Sequence, residues 1–333
     1  MTCASLPRRT FGAFSLLALL LGPGVASART VVTIGTLAPK ASTWGQLFAA
    51  WSRAVAFQSN DELALQVYYN GQAGDEVAMV GKLRAGQLDG AFLSATGLAK
   101  VYRPIVALQL PGLFTDWKKF DEVRWKFQPE FAAGAKEAGF VLAAWADIGL
   151  TRAFSKGAVL HHPADLQGHR PFAGRGDDGA LALFGAIRGS PPVPLNVPEV
   201  LPNLQTNAVD VVGAPALVVE QLGWSAQLDT VNSDPLAVAV GALVYSKARI
   251  EALPENLRAV LLDTSKIAGS TWTKGVRRAD DEAYARLKAK MTVVTLSAAE
   301  KAEWTEVCGS APSRLAGPTF DADLLARLEA AAR

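Results

Sequence analysis

Three groups of residues in this 333-residue chain have types and spacings suited to chemistry, and none completes a reactive set. Gly174-Arg-Gly-Asp-Asp-Gly179 is a literal G-x-G-x-x-G, set between a strand-like stretch at 169–173 and a helical run starting near Ala180. A dinucleotide site there needs helix-terminal N–H groups free to receive a pyrophosphate. Asp177 and Asp178 put two negative charges at that point, so the spacing predicts helix capping instead. The three histidines, His161, His162 and His169, cluster beside Asp165. Neighbours in an extended segment face opposite ways, so His161 and His162 do not chelate one ion, and no cysteine or second acidic cluster completes a coordination shell. No metal and no cofactor are expected. Cys308 has no histidine near it in sequence, and the chain carries no Gly-x-Ser-x-Gly elbow. With no nucleophile assembled, no catalytic residue is assigned. An exported hydrolase using two carboxylates is the remote alternative, because acids are common enough to pair by chance.

Residues 1–28 read as a secretory signal: Arg8 and Arg9, an apolar run over 11–21, then Ala26-Ser27-Ala28 before a mature start at Arg29. Gly22-Pro23-Gly24 ends the run short of the about 20 apolar residues a membrane span needs. Arg8-Arg9-Thr10-Phe11 also resembles a twin-arginine signal, so the route to the periplasm is Sec or Tat. Cys3 leaves with the signal, and Cys308 alone allows no intrachain disulfide. The fold therefore rests on its core, and a chain with 50% apolar residues has ample length for two lobes. Lys plus Arg is 33 and Asp plus Glu 31; without the two signal arginines the counts are equal at 31 each. No nucleic-acid or anionic-membrane partner is implied.

These groups must be held by alternating strands and helices. Strands are expected at 31–35, 63–69, 90–93 and 141–145, with helices at 43–57 (capped by Thr43), 76–85 and 131–138. The pattern is α/β, with a mostly parallel sheet and binding loops at its strand ends. Near 150–155 the chain crosses into a second lobe through Val159, the Gly168 loop, Val193 and 209–212, and it returns with a strand at 238–245. A long helical stretch over 254–290 is interrupted at Gly269 and Gly275. The expected division is a cleaved signal at 1–28, lobe I at 29–152 completed by about 238–252, and lobe II at 153–237. A lobe-spanning helix and C-terminal helices fill 253–333.

Several short motifs occur in a specific order: Thr36-Leu-Ala-Pro39, Gly74-Asp-Glu76, Leu83-Arg-Ala-Gly-Gln-Leu-Asp-Gly90, Leu110-Pro-Gly-Leu-Phe114 and Gly149-Leu-Thr-Arg152. Asp165-Leu-Gln-Gly168, Glu199-Val-Leu-Pro-Asn-Leu-Gln-Thr-Asn-Ala-Val-Asp210 and Leu253-Pro-Glu-Asn-Leu257 follow. Together they make nearly the whole mature chain resemble the solute-binding subunits of tripartite ATP-independent periplasmic (TRAP) transporters, the DctP family. The resemblance implies a two-lobed, Venus-flytrap periplasmic-binding-protein fold. Such a protein closes on a small organic ligand, delivers it to TRAP membrane permease subunits and performs no chemistry. An additional periplasmic partner is left open. A binding protein of an ABC importer would share the architecture; the Leu83 to Gly90 and Glu199 to Asp210 motifs argue against it.

In the family, the strand after the Asp-Leu-x-Gly turn carries an arginine that grips the ligand carboxylate, a role suited to the bidentate guanidinium. Here that position is Phe172. An ordinary carboxylate binder in which Arg170 or Arg175 reaches in is the alternative. A second family position, an amide that reaches the ligand, is Ala214 here, just before Pro215. Leu37 and Ser94 stand where one branch of the family is polar or acidic, while Asp75 and Arg152 are the matched polar positions that remain. The resemblance implies a ligand site at Leu37, Asp75, Ser94, Trp145, Arg152, Phe172, Ala214 and Pro215, with Trp44, Phe92, Arg170 and Arg175 around it. The expected ligand is apolar or amphipathic, with at most one carboxylate near Arg152, rather than a C4-dicarboxylate.

Overall fold

Buried apolar runs and amphipathic helices alternate from Thr30 onward. In the computed structural model, which describes residues 1–2, 29–317 and 320–333, they form β1 (Thr30–Gly35), α1 (Thr43–Gln58), β2 (Leu63–Tyr68), α2 (Glu76–Arg84), β3 (Gly90–Leu93) and α3 (Ala95–Val101). The secretory-signal motifs over 3–28 lie outside the described residues. A short 3-10 helix (Arg103–Gln109) leads to α4 (Trp117–Glu137) and β4 (Phe140–Ser155). Next come β5 (Phe172–Gly174), α5 (Asp178–Gly185), β6 (Val193–Leu195), α6 (Val197–Gln205), β7 (Val211–Pro215), α7 (Ala216–Gln221) and β8 (Thr230–Asn232). The chain ends with β9 (Ala237–Ser246), α8 (Lys247–Glu251), α9 (Glu255–Lys288), β10 (Thr292–Val294), α10 (Ala298–Leu315) and α11 (Ala322–Ala332). The cap of α1 is Ser42, whose hydroxyl accepts from the Gly45 N–H, so Thr43 is the first helical residue and not the cap.

The main sheet runs β10-β8-β4-β9-β3-β1-β2, with β7 also paired to β4, while β5 and β6 form a small parallel pair. β1 is parallel to β2 and β3, but β9 is antiparallel to both β3 and β4, and β4 is antiparallel to β7 and β8. The expected mostly parallel sheet is therefore mixed. The reason is topological: β9 lies between β3 and β4 and runs opposite to both, and β4 runs opposite to β7 and β8 as well. β4 is 16 residues long, well beyond the expected 141–145, with register breaks at Leu142/Ala144 and Asp147/Gly149.

One core packs α1 and α9 on the sheet, with Trp272 4.7 Å from Phe48 and 5.6 Å from Trp51 between ring centroids. α9 runs unbroken for 34 residues, so the expected interruptions at Gly269 and Gly275 do not occur. A Cβ on Gly269 would sit 2.6 Å from both Ala144 Cβ and Trp145 O, so this glycine lets the helix lie directly on β4. Further along α9, the buried Asp280 carboxylate accepts from the backbone N–H groups of Leu150 (3.0 Å) and Leu217 (2.9 Å). It thus ties β4 to the start of α7. Gly149, with φ +146°, makes room for it: a Cβ there would stand 2.7 Å from Asp280 Cγ.

Candidate functional site

The carboxyl ends of β1, β3, β5, β6 and β7 converge on one cavity of about 280 Å³. That is where open α/β sheets place ligands, and the volume lies near the lower end of the about 300–1,000 Å³ typical of small-molecule sites. One wall comes from the turn after β1 with Leu37, from Trp44 on α1 and from Phe92 on β3. Trp44 and Phe92 pack at 5.2 Å between centroids. The facing wall carries Phe172 of β5, Phe184 of α5, Ala214 and Pro215 of β7, and Trp224. Phe172 is half-buried, with one edge against Trp224 at 6.0 Å, so it packs on the core and borders the cavity at once.

The polar groups of the cavity are mostly occupied. Asp75 caps α2 through the Ala78 N–H (2.8 Å), and its other oxygen accepts from Asn196 Nδ2 across the cleft (3.0 Å). Glu76, buried, accepts from Ser94 N–H (3.0 Å), Ser94 Oγ (2.9 Å) and Gly97 N–H (2.7 Å) at the start of α3. Burial nevertheless pushes its carboxyl above the usual range, outweighing those donors. Asp177 caps α5 through the Ala180 N–H (3.0 Å), as the paired aspartates predict. Its low-polarity surroundings, and then Asp178 beside it, push its carboxyl up as well. Gln109 Oε1 accepts from the Val240 N–H (3.0 Å) while its Nε2 is buried with no partner. Gln221 Nε2 reaches Thr43 Oγ1 across the cleft (2.7 Å), leaving Oε1 buried and unpartnered.

Eight of the expected positions border this cavity: Leu37, Trp44, Asp75, Phe92, Ser94, Phe172, Ala214 and Pro215. Four do not, and these are corrections. Trp145 lies in the core against Phe131, 6.4 Å away. The register break at Asp147/Gly149 changes which β4 residues turn inward, and Ile148 and Thr151 take that place. Arg152 follows Thr151 on a strand and so projects to the other face. Its guanidinium lies 4.0 Å from the Tyr284 ring centroid and donates to Leu150 O and Ser233 O. Arg175 is exposed and pairs with Glu199 at 3.4 Å. Arg170 is exposed, with its backbone N–H on Asp210. Among the described residues, no lysine, arginine or histidine lines the cavity. Sequence alone does not single out Gln109, Glu76, Asp177, Thr151, Asn196 or Trp224 for it. The Gly74-Asp-Glu76 motif already holds Glu76, but nothing local marks Gln109.

The histidines serve other contacts: His161 Nδ1 lies 3.0 Å from Glu300, His162 Nδ1 2.8 Å from Glu303 and His169 Nδ1 3.2 Å from Asp210. The hydrogen bond to Glu303 holds His162 above its usual value. Among the described residues no group of three or more His, Cys, Asp or Glu side chains is placed to hold a metal. Cys308 is buried, which pushes its thiol up to about 11, far from the thiolate a nucleophile needs.

A two-lobed α/β frame with a cavity at its strand ends defines a binding protein of the periplasmic type. The chain belongs to the bacterial extracellular solute-binding proteins, family 7 (DctP), whose model matches residues 34–314. It is 24% identical over 225 residues to the 2,3-diketo-L-gulonate-binding periplasmic protein YiaO of Escherichia coli K12, a match that takes in 64% of this chain and 65% of that protein. Its fold is similar to that of the sugar acid binding protein DctPAm of Advenella mimigardefordensis, solved with galactonate (TM-score 0.85, 17% identity, 91% of this chain and 98% of that one). It is equally similar to a TRAP periplasmic solute-binding protein of Shewanella oneidensis with bound succinate (TM-score 0.85, 19% identity, 92% and 100% covered).

Proposed function

We propose that this protein is the periplasmic solute-binding subunit of a TRAP transporter, which captures an organic ligand with an apolar body and delivers it unchanged to the membrane permease. The observation that carries the ligand reading is the cavity lining: aromatic and aliphatic on both walls, with no cationic side chain among the described residues. YiaO, DctPAm and the Shewanella protein are named for, or hold, organic acids. Here the position implied for the family's arginine is Phe172, and Arg152, Arg170 and Arg175 are all placed outside the cavity. A dicarboxylate would lose its water with no cation in return, a cost of several kcal/mol for so small a ligand. The lobe limits we assign, 29–152 with about 238–252 against 153–237, follow β4 out and β9 back.

Calorimetry with alkyl ligands of increasing length checks this. Each added methylene should contribute about 0.8 kcal/mol, close to fourfold in Kd, until the cavity is filled. Succinate and galactonate should not bind, and Phe172→Arg should weaken the alkyl ligands while admitting succinate. Recovery of a bound apolar molecule, chemically unaltered, by native mass spectrometry would agree. Micromolar succinate binding by the wild type, with no response to chain length, would sink the reading.

A further inference from the structure

The size of the ligand follows from the volume and the walls of the cavity, given the apolar-body reading above. A cavity of about 150 Å³ accommodates benzene, which allows about 25 Å³ for each carbon, so the cavity of about 280 Å³ here holds about eleven non-hydrogen atoms. Closure turns that figure into a limit. Asp75 and Asn196 both line the cavity and bond to each other across the cleft at 3.0 Å, and Gln221, a third lining residue, reaches Thr43 Oγ1 at 2.7 Å. A larger molecule must either part these bonds or leave its excess carbons in water, and neither adds affinity.

One stripe of α5 sets how much of that room is available. Asp177, Ala180, Leu183 and Phe184 all border the cavity, the first capping α5 and the others following at helical spacing, so they share one face of the helix. Leu183 and Phe184 are buried in the core that α5 shares with Trp304 and Cys308 of α10, and Asp177 is held by the Ala180 N–H. Ala180 carries the smallest side chain of the stripe and is only half-buried, so the room for ligand carbons along α5 is greatest there. The aromatic walls are fixed by their own packing, Trp44 on Phe92 at 5.2 Å and Phe172 on Trp224 at 6.0 Å.

We propose that the protein takes a medium-sized apolar solute of about eleven non-hydrogen atoms, such as an alcohol or terpenoid of about ten carbons, and that Ala180 is the residue that sets this limit. Long-chain lipids would then be excluded by size.

Calorimetry with 1-alkanols from hexanol to tetradecanol, run in competition for the least soluble members, tests this. In the wild type Kd should fall close to fourfold for each added carbon up to about decanol and then stop falling. Ala180→Leu adds three carbons to the stripe, so the optimum should lie about three carbons lower, near heptanol, with decanol weakened about tenfold or more. Ala180→Val, with two added carbons, should place it about two lower, near octanol. Both variants should keep the circular dichroism of the wild type. A substitution that merely disturbed α5 would weaken every alkanol by one factor and leave the optimum where it was. An optimum unmoved in both variants, or a wild-type Kd that keeps falling at the same rate to tetradecanol, overturns the size proposal alone. If the wild type shows no dependence on chain length, the apolar-body reading fails and takes this proposal with it.

Discussion

Side chains at the cavity rim differ in how far their roles can be read before folding. Leu37 and Asp75 sit inside short motifs, and Ser94, Phe172 and Ala214 each follow one by four residues, so local sequence points to the place where they meet. Arg152 sits in such a motif too, yet one residue of strand parity turns it onto Tyr284 and makes Thr151 the inward neighbour. Gln109 could not be found this way, because its orientation depends on the Val240 N–H, 131 residues away. Asp177 was legible as a cap but not as a cavity carboxylate, since its perturbation comes from surroundings that only the fold assembles. Its folded-state pKa lies above the ordinary 3.8, so its contribution favours folding fully below that value and is lost as pH rises through the raised folded value. Asparagine caps helices as well as aspartate does. Asp177→Asn should therefore melt with the wild type in acid and above it near neutral pH. A melting difference between the two that stays constant across the pH range would remove this account.

Among strands and helices, regular alternation was legible because apolar periodicity is local, and long-range contact explains the departures. β4 reads as a short strand from its apolar run, but pairing with β7, β8 and β9 extends it to 16 residues through two bulges. The glycines of α9 look like breaks by propensity alone, and the two test opposite causes. A Cβ added at Gly275 would meet nothing within 4 Å, so Gly275→Ala should stabilise by about 1 kcal/mol through helix propensity. Gly269→Ala would drive its methyl into Ala144 and the Trp145 carbonyl, and should cost about 1–3 kcal/mol despite the same propensity gain. Urea denaturation of both variants gives the comparison. Equal stabilisation by the two would mean that α9 does not need its close seat on β4.

Across the two lobes, the cavity is closed by three bonds between its walls: Asn196 Nδ2 to Asp75, Gln221 Nε2 to Thr43 Oγ1, and the Arg103–Asp178 pair. Each of these bonds exists only when the walls meet, so each adds to the closing bias that ligand contacts supply. A hydrogen bond to a carboxylate contributes about 1.5–3 kcal/mol, a neutral one about 0.5–1.5 kcal/mol, and a half-exposed ion pair about 0–1 kcal/mol. Asn196→Ser keeps a capping residue at the start of α6 and Arg103→Ala touches no cavity-lining side chain, so the pair of changes acts on closure and leaves the lining otherwise intact. The double variant should shift the open-to-closed ratio on the order of tenfold, expand the ligand-free protein in small-angle scattering, and weaken every ligand by one common factor. The free-energy gain per methylene should stay as in the wild type, because the walls that bury the alkyl chain are the same once closed. A variant that leaves the scattering unchanged while flattening the chain-length dependence would show that these residues shape the cavity and do not hold it shut.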